Sequence, residues 1–147
     1  MSKSTLLIVE DNLAQQFVYK QLCEKFDCLV VFCSTGEDAI EAIKLAKYSA
    51  ILLDYRLPGM TGVEVAKHVR YSEAGQSART PIIALTAHLS DETERQFRAA
   101  GVDDFMTKPF AIDEFRKLLL RQLYQAHEPN LKLLNKTSDG SDIIQAT

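Results

Sequence analysis

The chain has 147 residues, 46% of them hydrophobic and 25% charged, which suits one soluble globular domain with a substantial core. A net charge of -3 leaves no basic footprint for nucleic acid. No apolar run can span a bilayer, the N-terminus does not read as a signal peptide, and Cys23, Cys28 and Cys33 lack both Cys-x-x-Cys spacing and a fourth zinc ligand. The three cysteines therefore read as reduced core or surface thiols of a cytosolic protein.

Thr5–Val9 reads as a buried first strand stopped by Glu10–Asp11–Asn12, where Asp11 or Asn12 can cap a helix. That helix is predicted over Leu13–Lys25, with Ala14, Phe17, Val18 and Leu22 on its apolar face. Leu29–Cys33 is a second strand, broken by Ser34–Thr35–Gly36. A second helix follows over Glu37–Lys47, with Ala39, Ile40, Ala42, Ile43 and Ala46 on one face. Ala50–Asp54 is the third strand, a continuous apolar run of the kind buried on both sides of a parallel sheet. Leu57–Gly62 is a loop by its Pro and Gly content, and Thr61 can cap a third helix over Gly62–Tyr71. After a polar loop at Ser72–Arg79 come strand four (Pro81–Thr86) and a helix over Asp91–Ala100, capped by Ser90 and ended by Gly101. Asp104–Thr107 is strand five. A last helix runs from Ile112 to about Gln125, with Ile112, Phe115, Leu118 and Leu119 inward.

Five strand-then-helix repeats predict an α/β fold, a doubly wound parallel sheet with helices on both faces. The right-handed crossover rule makes the flavodoxin-like strand order 2-1-3-4-5 the simplest choice. A domain over residues 1–126 is expected, followed by a tail or linker over 127–147, where Pro129 and Ser138–Asp139–Gly140–Ser141 change the character of the chain.

In such a sheet the strand ends share one edge. Glu10 and Asp11, Asp54, Thr86 and Lys108 then converge on one crevice. Three carboxylates close together repel, and a hard cation relieves them; oxygen donors suit Mg²⁺, and Mn²⁺ also fits. Asp54 can act as a nucleophile toward phosphorus, Lys108 can neutralise charge on the transferred oxygens, and Thr86 can bond one of them. Singly, each residue has an ordinary reading: a Glu–Asp pair caps a helix, an Asp forms a turn, a Lys is a solvated charge. Their joint placement at four strand ends makes the chemical reading.

These segments resemble a response-regulator receiver domain over about Leu6–Tyr124. Glu10–Asp11 is similar to the family's acidic metal pair. Leu53–Asp54–Tyr55–Arg56–Leu57–Pro58–Gly59–Met60–Thr61–Gly62 resembles its phosphoacceptor segment, Leu85–Thr86–Ala87 its switch hydroxyl, and Phe105–Met106–Thr107–Lys108–Pro109–Phe110 its lysine segment. The resemblance implies that a histidine kinase or histidine phosphotransfer domain donates a phosphoryl group to Asp54. Magnesium would be held by Asp11, Asp54 and the backbone carbonyl of Arg56, with Glu10 through water. Lys108–Pro109 would be a cis peptide bond. Thr86 and Phe105 would be the switch residues, repacking the face of helix four, strand five and helix five.

Four positions depart from the common pattern: Thr61 where Asp is frequent, Phe105 where Tyr is also common, and the pair Arg56 and His88, two residues past the acceptor and the threonine. In the family that last pair tunes the lifetime of the acyl phosphate. Thr80–His88 and Ala99–Phe105 most resemble receivers of hybrid sensor histidine kinases. A stand-alone regulator acting by protein docking is the alternative, and no DNA-binding unit fits in the tail. The implied chemistry is confined to the domain's own phosphorylation and dephosphorylation, in the cytoplasm, with no direct membrane contact. A homodimer through helices four and five is compatible with it. A magnesium-dependent aspartyl-phosphate phosphatase is a weaker reading, since it wants a second Asp where Arg56 stands. A flavodoxin would not carry Glu10–Asp11–Asn12 at its phosphate loop.

Overall fold

A computed structural model of the chain describes residues 4–71 and 79–123. Two compact units divide the chain, residues 1–109 and 110–147. In the first unit, β1 (Thr5–Val9), β2 (Leu29–Cys33), β3 (Ala50–Asp54), β4 (Ile82–Thr86) and β5 (Asp104–Thr107) form one parallel sheet in the order β2-β1-β3-β4-β5. This is the predicted flavodoxin-like order. Leu6–Val9, Ala50–Leu53 and Ile82–Leu85 are at most 1% exposed, as strands covered on both faces must be. Register sets the functional edge: Val9 pairs with Leu53, Asp54 with Leu85, and Thr86 with Thr107, so the strands end level with one another.

Helices α1 (Leu13–Lys25), α2 (Gly36–Leu45), α3 (Gly62–Tyr71) and α4 (Asp91–Ala99) alternate with the strands. Asn12, Thr35 and Ser90 each accept the N–H three residues on, satisfying an otherwise orphaned first-turn donor. Thr61 and Glu64 bond reciprocally in a capping box that starts α3.

The inward face of α1 keeps the predicted Leu22 but otherwise differs from the predicted one. Ala14, Phe17 and Val18 are exposed, Phe17 at 63%; the buried line is Tyr19, Leu22 and Cys23. Two apolar stripes overlap on this helix, and a polar tether selects between them. The Gln16 side-chain amide donates to the Glu10 carbonyl at 2.6 Å and to the Ser34 hydroxyl at 3.2 Å, turning the Gln16–Tyr19–Cys23 line toward the sheet. Helix α2 also stops earlier than predicted. Ala46 is extended and exposed, because the chain must leave the helix for Tyr48 to bury its ring and bond the Ala42 carbonyl. The cysteines are free and buried, and burial pushes the Cys23 thiol up to about 12.

At the edge opposite the strand ends, Arg70 of α3 donates to the Gly101 carbonyl at 2.9 Å and pairs with Asp103. The same Asp103 oxygen accepts the Ile82 N–H at 2.8 Å. Gly101 has φ +96°, and a Cβ there would lie 2.5 Å from Arg70 Cγ. One guanidinium therefore joins the end of α3, the turn after α4 and the starts of β4 and β5.

The second unit contains α5 (Ile112–Leu123), whose first turn is capped by Glu114 bonding the Ala111 N–H at 2.8 Å. The predicted last turn to Gln125, the 127–147 tail with its boundary at 126, and the 72–78 part of the polar loop lie outside the described residues.

Candidate functional site

The first unit brings the predicted charged residues together. Lys108, just past β5, places Nζ 2.8 Å from Glu10 Oε1 and 3.5 Å from Asp54 Oδ2. Glu10 is 2% exposed, and its other oxygen accepts the Asn12 N–H at 3.1 Å. This buried acid is thus engaged on both oxygens, with an ammonium and with the first residue after the acidic pair. Asp11 is exposed. One carboxylate oxygen each from Glu10, Asp11 and Asp54 lie within 4.8 Å of one another. Oxygen donors this close suit a hard divalent cation, so the donor set fits Mg²⁺.

Burial pushes the Asp54 carboxyl above its ordinary value; the Lys108 ammonium opposes this, the Glu10 charge adds to it, and bonds from Lys108 and the Tyr55 N–H oppose it again. Tyr19, buried on α1, has its phenol raised by burial and by the charges of Glu10 and Asp54. Sequence reasoning missed Tyr19, because a tyrosine in an amphipathic helix carries no mark of its neighbours.

Thr86 is 5% exposed, and its hydroxyl is occupied. It accepts the His88 N–H at 3.2 Å and donates to the His88 carbonyl at 3.3 Å. Arg56 makes a short antiparallel bridge to Thr61, which folds the loop after β3 back on itself. The Gly62 N–H bonds the Tyr55 carbonyl at 2.8 Å, and a Cβ on Gly62 would sit 2.2 Å from the Asp54 carbonyl oxygen. Only a residue without a side chain lets α3 begin this close to the end of β3. The peptide bond between Lys108 and Pro109 is cis.

Beside Asp54 opens a cavity of about 340 Å³, lined by Asp54, Tyr55, Arg56, Thr86, Ala87, His88, Thr93 and Lys108. Arg56 and His88 are exposed at its mouth. Thr93, from the first turn of α4, was not anticipated as part of the site. Phe105 is half-buried away from this cavity. Its ring meets Phe97 edge-on at 6.0 Å, and Phe97 meets Tyr55 at 5.7 Å.

Comparison with known proteins decides the family. The response regulator receiver domain pattern matches residues 6–120. The chain belongs to that family. As a receiver domain it is 33% identical over 122 residues to the autoinducer 2 sensor kinase/phosphatase LuxQ of Vibrio vulnificus, covering 83% of this chain and 14% of that protein. Against the sensor protein GacS of Pseudomonas syringae it is 31% identical over 117 residues, covering 79% of this chain and 13% of that one. The receiver thus spans a small part of these relatives.

Among solved structures, the receiver domain of the Pseudomonas aeruginosa sensor histidine kinase PA1611, with a magnesium ion coordinated in its active-site cleft, has a TM-score of 0.75 and 32% identity. That match covers 83% of this chain and 98% of that one. The chemotaxis protein CheY4 of Vibrio cholerae gives a TM-score of 0.78 at 28% identity, covering 83% of this chain and 100% of that one. The chain is therefore a receiver domain of two-component or phosphorelay signalling, similar to receivers of hybrid sensor kinases. No helix among its described residues is long and apolar enough to cross a membrane.

Proposed function

We propose that this receiver takes a phosphoryl group from a phosphohistidine onto Asp54. The observation that carries the reading is the cluster of three carboxylates within 4.8 Å, with Lys108 paired to two of them. An Asp54 oxygen attacks phosphorus, the N–P bond of the donor breaks, and its electron pair returns to the imidazole, which takes up a proton from solvent. Asp11, Asp54 and the backbone carbonyl of Arg56, with Glu10 beside them, would hold Mg²⁺. Bound there, the ion supplies charge neutralisation for the transferred oxygens.

Lys108 already spans Glu10 and Asp54, and it is the residue within reach of a new anionic oxygen on Asp54. Thr86 reaches that oxygen by exchanging its bonds to the His88 backbone for one to the phosphoryl group. Phe105 then moves inward, which makes the pair a two-state switch biased by a local charge. Arg56 and His88, at the cavity mouth, govern how readily water reaches the acyl phosphate.

Similarity to LuxQ, GacS and the PA1611 receiver favours a hybrid histidine kinase as parent, with a histidine kinase or histidine phosphotransfer domain as cytoplasmic donor. Treatment with acetyl phosphate and Mg²⁺ should add one phosphoryl mass, lost in Asp54→Asn. A mass addition that survives this substitution would overturn the reading. Sedimentation of the beryllofluoride form tests whether phosphorylation drives self-association.

A further inference from the structure

We propose that Arg98 and Glu94 of α4 form a latch that holds Phe105 in its half-buried position and so sets how readily the site accepts a phosphoryl group. This inference rests on the receiver reading above and names a control on it. The guanidinium carbon of Arg98 stands 4.7 Å from the centroid of the Phe105 ring. Arg98 Nε donates to Glu94 at 2.9 Å, one helical turn back, which fixes the guanidinium over the ring. The ring's edge contact with Phe97 supports it from the core side.

Arg98 and Glu94 contribute little to the fold. Their side chains are 58% and 38% exposed, and exposed ion pairs of this kind add little stability. The residue that anchors α4 in the core is Phe97, at 0% exposure. The contact of Arg98 with Phe105 is different, because it exists only while the ring stays where it is. A group that stabilises one of two states biases the equilibrium by its differential interaction. A cation–π contact at an exposed site corresponds to a factor of about two to five in that equilibrium. By linkage the same factor enters the affinity for any phosphoryl mimic that binds the inward state. The latch thus acts through Phe105, and Arg98 is a positioning residue that never touches the phosphoryl group.

Titrate the full chain with beryllofluoride and Mg²⁺, following backbone amide NMR shifts, in wild type, Arg98→Gln, Phe105→Leu and the double variant. Arg98→Gln should tighten beryllofluoride binding about two- to five-fold. That gain should vanish when Phe105 is already Leu, whereas a merely structural role of Arg98 would persist in both backgrounds. Arg98→Lys, which keeps a cation near the ring, should recover most of the wild-type affinity. Unchanged or weakened binding in Arg98→Gln, or a gain that survives Phe105→Leu, overturns the latch and leaves the receiver reading intact. Should wild type fail to bind beryllofluoride, the receiver reading falls. The latch is then judged on the mimic-free protein, where Arg98→Gln must move the ring resonances of Phe105 and Phe97, and unmoved resonances refute it.

Discussion

Asp54 carries its charge in an unfavourable place. Its carboxyl lies above the ordinary value of 3.8 because it is buried beside Glu10, with Lys108 only partly compensating. The folded chain therefore keeps this proton to higher pH than the unfolded chain does. Stability falls as pH rises from the ordinary carboxylate value through the raised one. Asparagine carries no such penalty. In metal-free buffer Asp54→Asn should melt at a higher temperature than wild type near neutral pH, and the gap should shrink as pH falls toward ~4. Melts in EDTA across this range check it, and a gap independent of pH would count against the electrostatic origin. That these residues gather at one sheet edge was legible, because each follows an apolar run and so must sit at a strand end. What those side chains bond was not legible. That the Thr86 hydroxyl turns to the His88 backbone, and that the buried Tyr19 feels the charges of Glu10 and Asp54, depends on rotamers and helix orientation that no linear spacing encodes.

Among the elements, α1 shows the limit of periodicity most clearly. Its ends were readable from Asn12 and from the chain beyond Lys25, yet of its inward face only Leu22 was. Leu13, Ala14, Phe17 and Val18 make as good a stripe as Tyr19, Leu22 and Cys23. The choice rests on the bonds of Gln16, which involve residues of two other segments. Leu22→Ala should cost about 2–5 kcal/mol by opening a cavity. Phe17→Gln should change stability by no more than about 0.5 kcal/mol. Urea unfolding of the two variants separates these outcomes; equal losses would mean that Phe17 is buried after all. Helix α2 teaches the same lesson in smaller form: Ala46 continued the pattern, but the tertiary demand of Tyr48 ended the helix first.

For the whole molecule, strand order was legible because five βα units of regular spacing leave few right-handed arrangements. The three carboxylates it collects should make stability depend on divalent ions. Mg²⁺ at ten times its dissociation constant should add about 1.4 kcal/mol. The gain should be lost in Asp11→Ala and reversed by EDTA, as read by thermal melts, and a Tm indifferent to Mg²⁺ in wild type would argue against a metal site. The bonding at the far side of the sheet anchors one end of α4. Arg70 pins the chain at Gly101 and Asp103, immediately after α4 ends. Helix α4 is thereby a lever of nine residues, about 13 Å long, with its fulcrum at Gly101 and its free end at the cavity beside Asp54. With that end pinned, a push at the cavity should displace Ser90 and Asp91 most and Ala99 least. A signal leaving through this helix should then be strongest at the end where it was written.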